Sequence, residues 1–270
     1  MNNSLMDTAR KAARAGGQIL TKHFGKVPSA AIRRKTKNDF LSFVDEQSEA
    51  AIISVIKRNF PDHAILAEES GARAESSTNL WIIDPLDGTK NYLSGIPVFA
   101  ISIALMQKDE LILGIIYDPL RDEMFTAQKG LGAYLNDRRI RVSQKSSLGD
   151  CLVATGFPFK AKQFLPPYLR TFEDIFNHSV GMRRMGAAAI DLAYLSCARF
   201  DAFWEIGLSP WDVAAGTVLV REAGGRVSDF WLGDRFLYGN YMLASNGLVH
   251  DEIATLIRRY FPKYRKVYQD

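Results

Sequence analysis

The apolar residues of this 270-residue chain fall into short runs, and the period of those runs changes along the sequence. From Leu5 to Phe24 the residues Leu5, Ala9, Ala12, Ala13, Ile19 and Leu20 recur at helical spacing, which predicts a first helix. A second is predicted from about Val44 to Phe60, with Ile52, Val55 and Ile56 on one face and Pro61 just past its end. Strand-length runs follow at Ala64–Glu69, Leu80–Asp84, Phe99–Met106 and Leu111–Tyr117, the last two joined by a Gln-Lys-Asp-Glu turn, with shorter ones at Met124–Ala127 and Ala133–Leu135. After Ser143 strands alternate with helices. The strands are Cys151–Thr155, Val180–Arg184, Asp201–Glu205, Gly225–Ser228 and Tyr241–Ser245; the helices are Tyr168–Asn177, Ala187–Arg199, Trp211–Ala223 and Val249–Tyr260. A helix-plus-meander half, residues 1–145, therefore precedes an alternating half, residues 146–270. No linker or repeat separates them, so a single α+β unit built of mixed layers is expected.

Composition narrows the function. With 47% hydrophobic and 24% charged residues the chain can bury a sizeable core. No apolar stretch approaches the roughly 20 residues that cross a bilayer, and Met1 to Arg10 lacks the order of a secretory signal, so a cytoplasmic protein is expected. Cys151 and Cys197 sit in apolar surroundings away from metal-ligand partners, as free thiols would. The net charge of +4 gathers at Arg33-Arg34-Lys35-x-Lys37, Arg138-Arg139-x-Arg141, Arg183-Arg184 and Arg258 to Lys266. These clusters lack the aromatic interleaving of an RNA-recognition signature and read as solvated faces. The four histidines fall in no H-E-x-x-H pattern, and neither a G-x-x-x-x-G-K-[ST] loop nor a G-x-S-x-G elbow is present.

Carboxylates, by contrast, collect at element ends. Glu68 and Glu69 close one predicted strand, and Asp84 and Asp87 close another within Trp81-Ile-Ile-Asp-Pro-Leu-Asp-Gly-Thr-Lys-Asn-Tyr92. Asp212 stands in the first turn of a helix capped by Ser209 and begun by Pro210, and Asp45 in the first turn of the second helix, where each also suits the helix dipole. Element ends are where side chains from different parts of a fold converge on a crevice. Carboxylates crowded there stay ionised only with cations between them, and a donor set of oxygens alone calls for a hard ion such as Mg²⁺. Gly88-Thr89 adds a turn whose N–H groups can approach an anion. An acidic cage beside a phosphate cradle predicts phosphate-ester hydrolysis, with metals neutralising the ester and activating a water that Thr89 orients.

Asp84-Pro85-Leu86-Asp87-Gly88-Thr89 with Asn91-Tyr92, and Trp211-Asp212-Val213-Ala214-Ala215-Gly216, resemble the two signatures of the inositol monophosphatase family. Glu68-Glu69-Ser70 and the stretch Asn38-Asp39-Phe40 to Val44-Asp45 match upstream, so the resemblance spans essentially the whole chain. Thr155 to Lys162, Ala188 to Tyr194 and Phe203 to Leu208 resemble the bacterial SuhB-type branch. The resemblance implies a layered αβαβα sandwich of the inositol monophosphatase / fructose-1,6-bisphosphatase-like superfamily, a homodimer, lithium sensitivity and Mg²⁺, two to three ions per site. By position Glu68, Asp84, Asp87, Asp212 and the Leu86 carbonyl would hold metal. Glu68, Asp45 and Thr89 would act on the nucleophilic water, Gly88 and Thr89 would hold phosphate, and Asp87, Ala188, Glu205 and Asp212 would line the substrate. The implied reaction is hydrolysis of myo-inositol 1-phosphate and related polyol monophosphates, with fructose 1,6-bisphosphate and 3′-phosphoadenosine compounds as alternatives. The branch also implies a binding role with Nus factors, RNA polymerase or RNA in transcription antitermination. One departure concerns the rim: Gly156-Phe157-Pro158 stands where animal members are serine-rich.

Overall fold

The computed structural model describes residues 3–28, 32–36, 39–73 and 77–267. Helix α1 (Asn3–His23) turns Ala9, Ala12, Ala13 and Leu20 inward without solvent exposure. A short hairpin, β1 (Ile32–Thr36) with β2 (Asp39–Ser42), leads into helix α2 (Phe43–Asn59). That helix starts where the Ser42 Oγ accepts from the Val44 N–H, buries Ile52, Ile53 and Ile56, and stops ahead of Pro61. The two helices lie against each other on one face of the larger sheet.

That sheet is built from β3 (Ala64–Ala67), β4 (Gly71–Arg73), β5 (Asn79–Asp87), β6 (Ala100–Gln107), β7 (Glu110–Asp118), β8 (Glu123–Gln128), β9 (Gly132–Leu135) and β10 (Arg138–Ile140). Its order is β10-β9-β8-β7-β6-β5-β3-β4, antiparallel throughout except for β3 beside β5. A one-turn helix, α3 (Thr89–Leu93), follows β5 directly. The second half supplies β11 (Leu152–Thr155), α4 (Leu165–His178), β12 (Gly181–Arg183), α5 (Ala188–Ser196), β13 (Ala202–Ile206), α6 (Pro210–Glu222), β14 (Arg226–Ser228), α7 (Phe236–Gly239), β15 (Tyr241–Ser245) and α8 (His250–Tyr260). Its sheet runs β12-β11-β13-β15-β14, with β12, β11 and β13 parallel and β15 antiparallel to its neighbours.

Alternation along β5 explains the layering: Trp81 and Ile83 point to the α1/α2 cluster and Ile82 to the opposite one. Helices α5 and α6 lie between the two sheets, so Ala188 to Ala193 and Val213 to Val220 are buried on every side, as a helix covered on both faces must be. A third cluster packs Tyr168 and Ile175 of α4 and Ile253 and Ile257 of α8 on Trp204 and Leu243 of the smaller sheet. The result is an αβαβα sandwich.

The predicted elements are present, with shifts at their ends. The helix expected over Ala187–Arg199 ends at Ser196, because Ala198 adopts a left-handed φ of 64° that reverses the chain. The strand expected to stop at Asp84 continues to Asp87. The β1/β2 hairpin, β4, β10 and α7 had no sequence signal strong enough to predict them. Lys37 of the first basic cluster and Asn38 of the upstream match lie outside the described residues. Among the described residues no helix is long and apolar enough to cross a membrane.

Candidate active site

Two residues three apart on a regular strand face opposite ways, so Asp84 and Asp87 should not share a surface. They do because β5 carries a bulge. Asp84 pairs with Ser102 and Asp87 with Ala100, so three steps along β5 match two along β6. Pro85, which has no N–H to give the ladder, occupies the irregular stretch. The extra residue puts both aspartates on the face toward α5 and α6, while Leu86 drops into the opposite core. The Leu86 N–H in turn donates to Asp84 Oδ1 at 2.9 Å, which fixes that carboxylate.

Helix α6 brings the third aspartate. Ser102, opposite Asp84 in the register, donates from its Oγ to the Trp211 carbonyl at 2.9 Å, and the Ser209 N–H donates to Asp212 Oδ2 at 2.7 Å. A carboxylate oxygen from each of Asp84, Asp87 and Asp212 lies within 4.8 Å of the others. Helix α5 contributes from its first turn, where the Ala189 N–H donates to Asp87 Oδ2 at 2.6 Å. Glu68, just after β3, lines the same cavity. Burial, then the charges of Glu68, Asp87 and Asp212, holds the Asp84 carboxyl well above the usual range, and burial, then Asp212, does the same to Asp87. Such a cluster asks for positive charge. Its all-oxygen donors at this separation fit a hard divalent cation.

Beside the aspartates the chain turns sharply. Gly88 has φ 92°, and a Cβ there would stand 2.9 Å from the Val98 carbonyl oxygen, so the turn needs glycine. Thr89 follows, with its Oγ1 3.0 Å from the Leu86 carbonyl and 3.3 Å from Asp45 Oδ1; its one proton serves either acceptor. Asp45 is 1% exposed and uses Oδ2 to accept from the Ser42 N–H and Oγ at 2.8 and 2.7 Å. Asp45, read from sequence as a first-turn carboxylate suited to the helix dipole, forms a capping box with Ser42 that also delivers it to Thr89. Burial raises the Asp45 carboxyl above its usual range.

The cavity, about 150 Å³, gathers Glu68, Asp84, Leu86, Asp87, Gly88, Thr89, Ala188, Glu205 and Asp212 in its wall; Asp45 is reached through Thr89. Burial pushes the Glu205 carboxyl up to about 8, although Arg184 pulls it down. Phe157, from the stretch expected at the rim, lines the wall, together with residues that the sequence did not place there: Lys90, Phe159, Lys160 and Arg184. Arg184 lies over both Phe rings, 5.6 and 5.1 Å from their centroids, and Lys90 Nζ is 4.4 Å from that of Phe159. The dipeptide Arg183-Arg184, read as a surface cluster, is therefore divided between an exposed strand residue and the rim of the site. No signal in the sequence distinguishes the two arginines. None of the four histidines lines the cavity.

The inositol monophosphatase family model matches residues 1–264. Nus factor SuhB of Escherichia coli (strain K12) is 42% identical over 264 residues, covering 94% of this chain and 99% of that one. The crystal structure of extragenic suppressor protein SuhB from Bartonella henselae superposes with a TM-score of 0.91 at 38% identity, covering 95% and 99% of the two chains. Inositol monophosphatase from Anabaena (Nostoc) sp. PCC 7120 gives 0.85 at 38% identity, covering 95% and 96%. On the match along nearly its whole length and the shared sandwich, this chain belongs to the inositol monophosphatase family.

Proposed function

We propose that the protein hydrolyses phosphate monoesters of small polyols, myo-inositol 1-phosphate foremost, to the alcohol and inorganic phosphate, with Mg²⁺ bound at the acidic cluster. The observation that carries this reading is the meeting of Asp84, Asp87 and Asp212 within 4.8 Å beside the Gly88-Thr89 turn. Asp84, Asp87, Asp212, Glu68 and the Leu86 carbonyl would hold two to three ions. When bound, such ions neutralise phosphate charge and acidify water. The chain's own groups do the rest. The Gly88 and Thr89 amides face the ester as phosphate donors. Thr89 Oγ1 orients the attacking water and relays its proton toward Asp45 Oδ1, whose raised affinity for a proton suits an acceptor. Glu68 flanks the same water. Ala188 and Glu205, with Asp87 and Asp212, line the leaving alcohol.

In this reading residues 1–270 form one unit, with most metal ligands in 1–145 and the substrate wall in 146–270. Lithium sensitivity, a homodimer and a cytoplasmic location belong to the same proposal. A second role, in transcription antitermination with Nus factors, RNA polymerase or RNA, is supported by the name carried by relatives about 42% identical, and it does not exclude catalysis. The test is phosphate release from myo-inositol 1-phosphate with and without Mg²⁺, against fructose 1,6-bisphosphate and 3′-phosphoadenosine 5′-phosphate. Mg²⁺-dependent release favouring the inositol ester is expected. A folded protein that releases phosphate from none of the three ends the phosphatase reading.

A further inference from the structure

Strand β11 runs parallel to β13 with Val153 beside Ala202, Ala154 beside Phe203 and Thr155 beside Trp204, so the next residue, Gly156, comes level with Glu205. The strands are fastened at that level: Thr155 Oγ1 donates to the Trp204 carbonyl at 2.8 Å and contacts the Tyr168 hydroxyl at 3.2 Å. Gly156 therefore has no freedom to retreat from its neighbour. A Cβ built on it would stand 2.0 Å from Glu205 Cδ and Oε1 and 2.2 Å from Oε2, so the whole carboxylate lies flat against the glycine. Beyond it the chain is anchored again, with Phe157 packed on Tyr168 and beneath Arg184. A side chain at 156 therefore displaces the Glu205 carboxylate from its place in the cavity wall.

We infer that Gly156 is a specificity-positioning residue. By presenting no side chain it holds Glu205 back against the strand end, where the carboxylate can accept hydrogen bonds from the hydroxyls of a polyol leaving group. The inference rests on the phosphatase reading and sharpens it: the site selects phosphate esters whose alcohol carries further hydroxyls, and the selection is set by a residue that touches no substrate. A polar site that bonds a substrate hydroxyl discriminates strongly against an analogue that lacks it.

The experiment is a double-mutant cycle on the full chain with Gly156→Ala, Glu205→Ala and the double variant. Its readout is the ratio of kcat/KM for myo-inositol 1-phosphate to that for p-nitrophenyl phosphate, whose leaving group has no further hydroxyl. Each single variant is expected to lower the ratio about tenfold or more. The double is expected to fall no further, because the glycine acts only through the carboxylate. A crystal structure of Gly156→Ala should show that carboxylate displaced. Should Gly156→Ala not fold, the double variant should, since its methyl meets no carboxylate. A ratio unchanged in Gly156→Ala, a double variant in which the two losses multiply, or a double variant that also fails to fold overturns the inference while leaving the phosphatase reading intact. A wild type that hydrolyses neither ester overturns both.

Discussion

The Ala189 N–H donates to Asp87 Oδ2 at 2.6 Å, joining the end of a strand in one sheet to the first turn of a helix 102 residues later. An aspartate that accepts from a helix start while crowding Asp84 and Asp212 holds its place by that bond and its charge by whatever cation it meets. Asp87→Asn keeps an oxygen for the Ala189 N–H but removes the charge. Phosphate release should fall at least about 100-fold. Calorimetry in metal-free buffer should find the melting temperature unchanged or raised, since a like-charge contact is relieved. A variant that melts well below the wild type would instead make Asp87 a structural residue.

Thr89 and Asp45 can be separated by chemistry. Thr89→Val keeps the shape and deletes the hydroxyl that stands between Asp45 Oδ1 and the Leu86 carbonyl. A loss of about 10²-fold or more in kcat with KM little changed is expected, and Thr89→Ser should keep most of the rate. Equal losses in the two variants would remove Thr89 from the proton path.

Acid sensitivity should come from a residue far from the site. His250 is fully buried, its Nε2 2.8 Å from Ser228 Oγ and its Nδ1 3.0 Å from Ser245 Oγ. Because Ser228 Oγ already donates to the Asp229 carbonyl, Nε2 must carry the proton and Nδ1 must accept from Ser245. Burial lowers the imidazole from 6.5 to about 4. The unfolded chain therefore binds a proton that the folded one refuses. This contribution is fully present above pH 6.5 and is lost as the pH falls toward 4, amounting to about 3 kcal/mol. Urea denaturation between pH 7 and 4 should show this slope, and His250→Gln should flatten it.

Asp191 should show the opposite slope. It is fully buried in α5, neither carboxylate oxygen has a hydrogen-bond partner among the described residues, and burial, then Glu205 and Asp87, holds its carboxyl well above the usual 3.8. The folded state keeps a proton that the unfolded one releases, so its stabilising effect is complete below about pH 4 and is lost as pH rises. Asp191→Asn should therefore be more stable than the wild type at pH 7.5, by about 1–3 kcal/mol, with the difference closing near pH 4. Denaturation midpoints at the two pH values decide this.

The sequence made some of this arrangement legible and left the rest hidden, for reasons that lie in particular residues. Asp212 was readable because Ser209 and Pro210 announce a helix start, and Asp45 because it falls in the first turn of a helix marked by Ile52, Val55 and Ile56 and closed ahead of Pro61. Gly88-Thr89 was readable because so few residues fit a left-handed turn. The joint face of Asp84 and Asp87 was not, since strand periodicity places them apart and only pairing with β6 reveals the bulge. Nor was the contact of Gly156 with Glu205, which needs the parallel register of two strands separated by a helix, a third strand and another helix. Asp191 gave a signal that went unused: a lone charge inside the apolar run Ala188 to Ala193. The short hairpin and edge strands escaped because three to five residues carry too little period to read.

The bulge at Pro85-Leu86 makes the site depend on counting as much as on chemistry. Removing one of those two residues would leave every carboxylate in the chain and restore an unbroken ladder, yet it would rotate either Asp84 or Asp87 through the sheet into the hydrocarbon packing of α1 and α2. A survey of substitutions would score both positions as ordinary, since neither side chain is a reactive group. What places both carboxylates is the phase of the strand, one residue out of step with its neighbour.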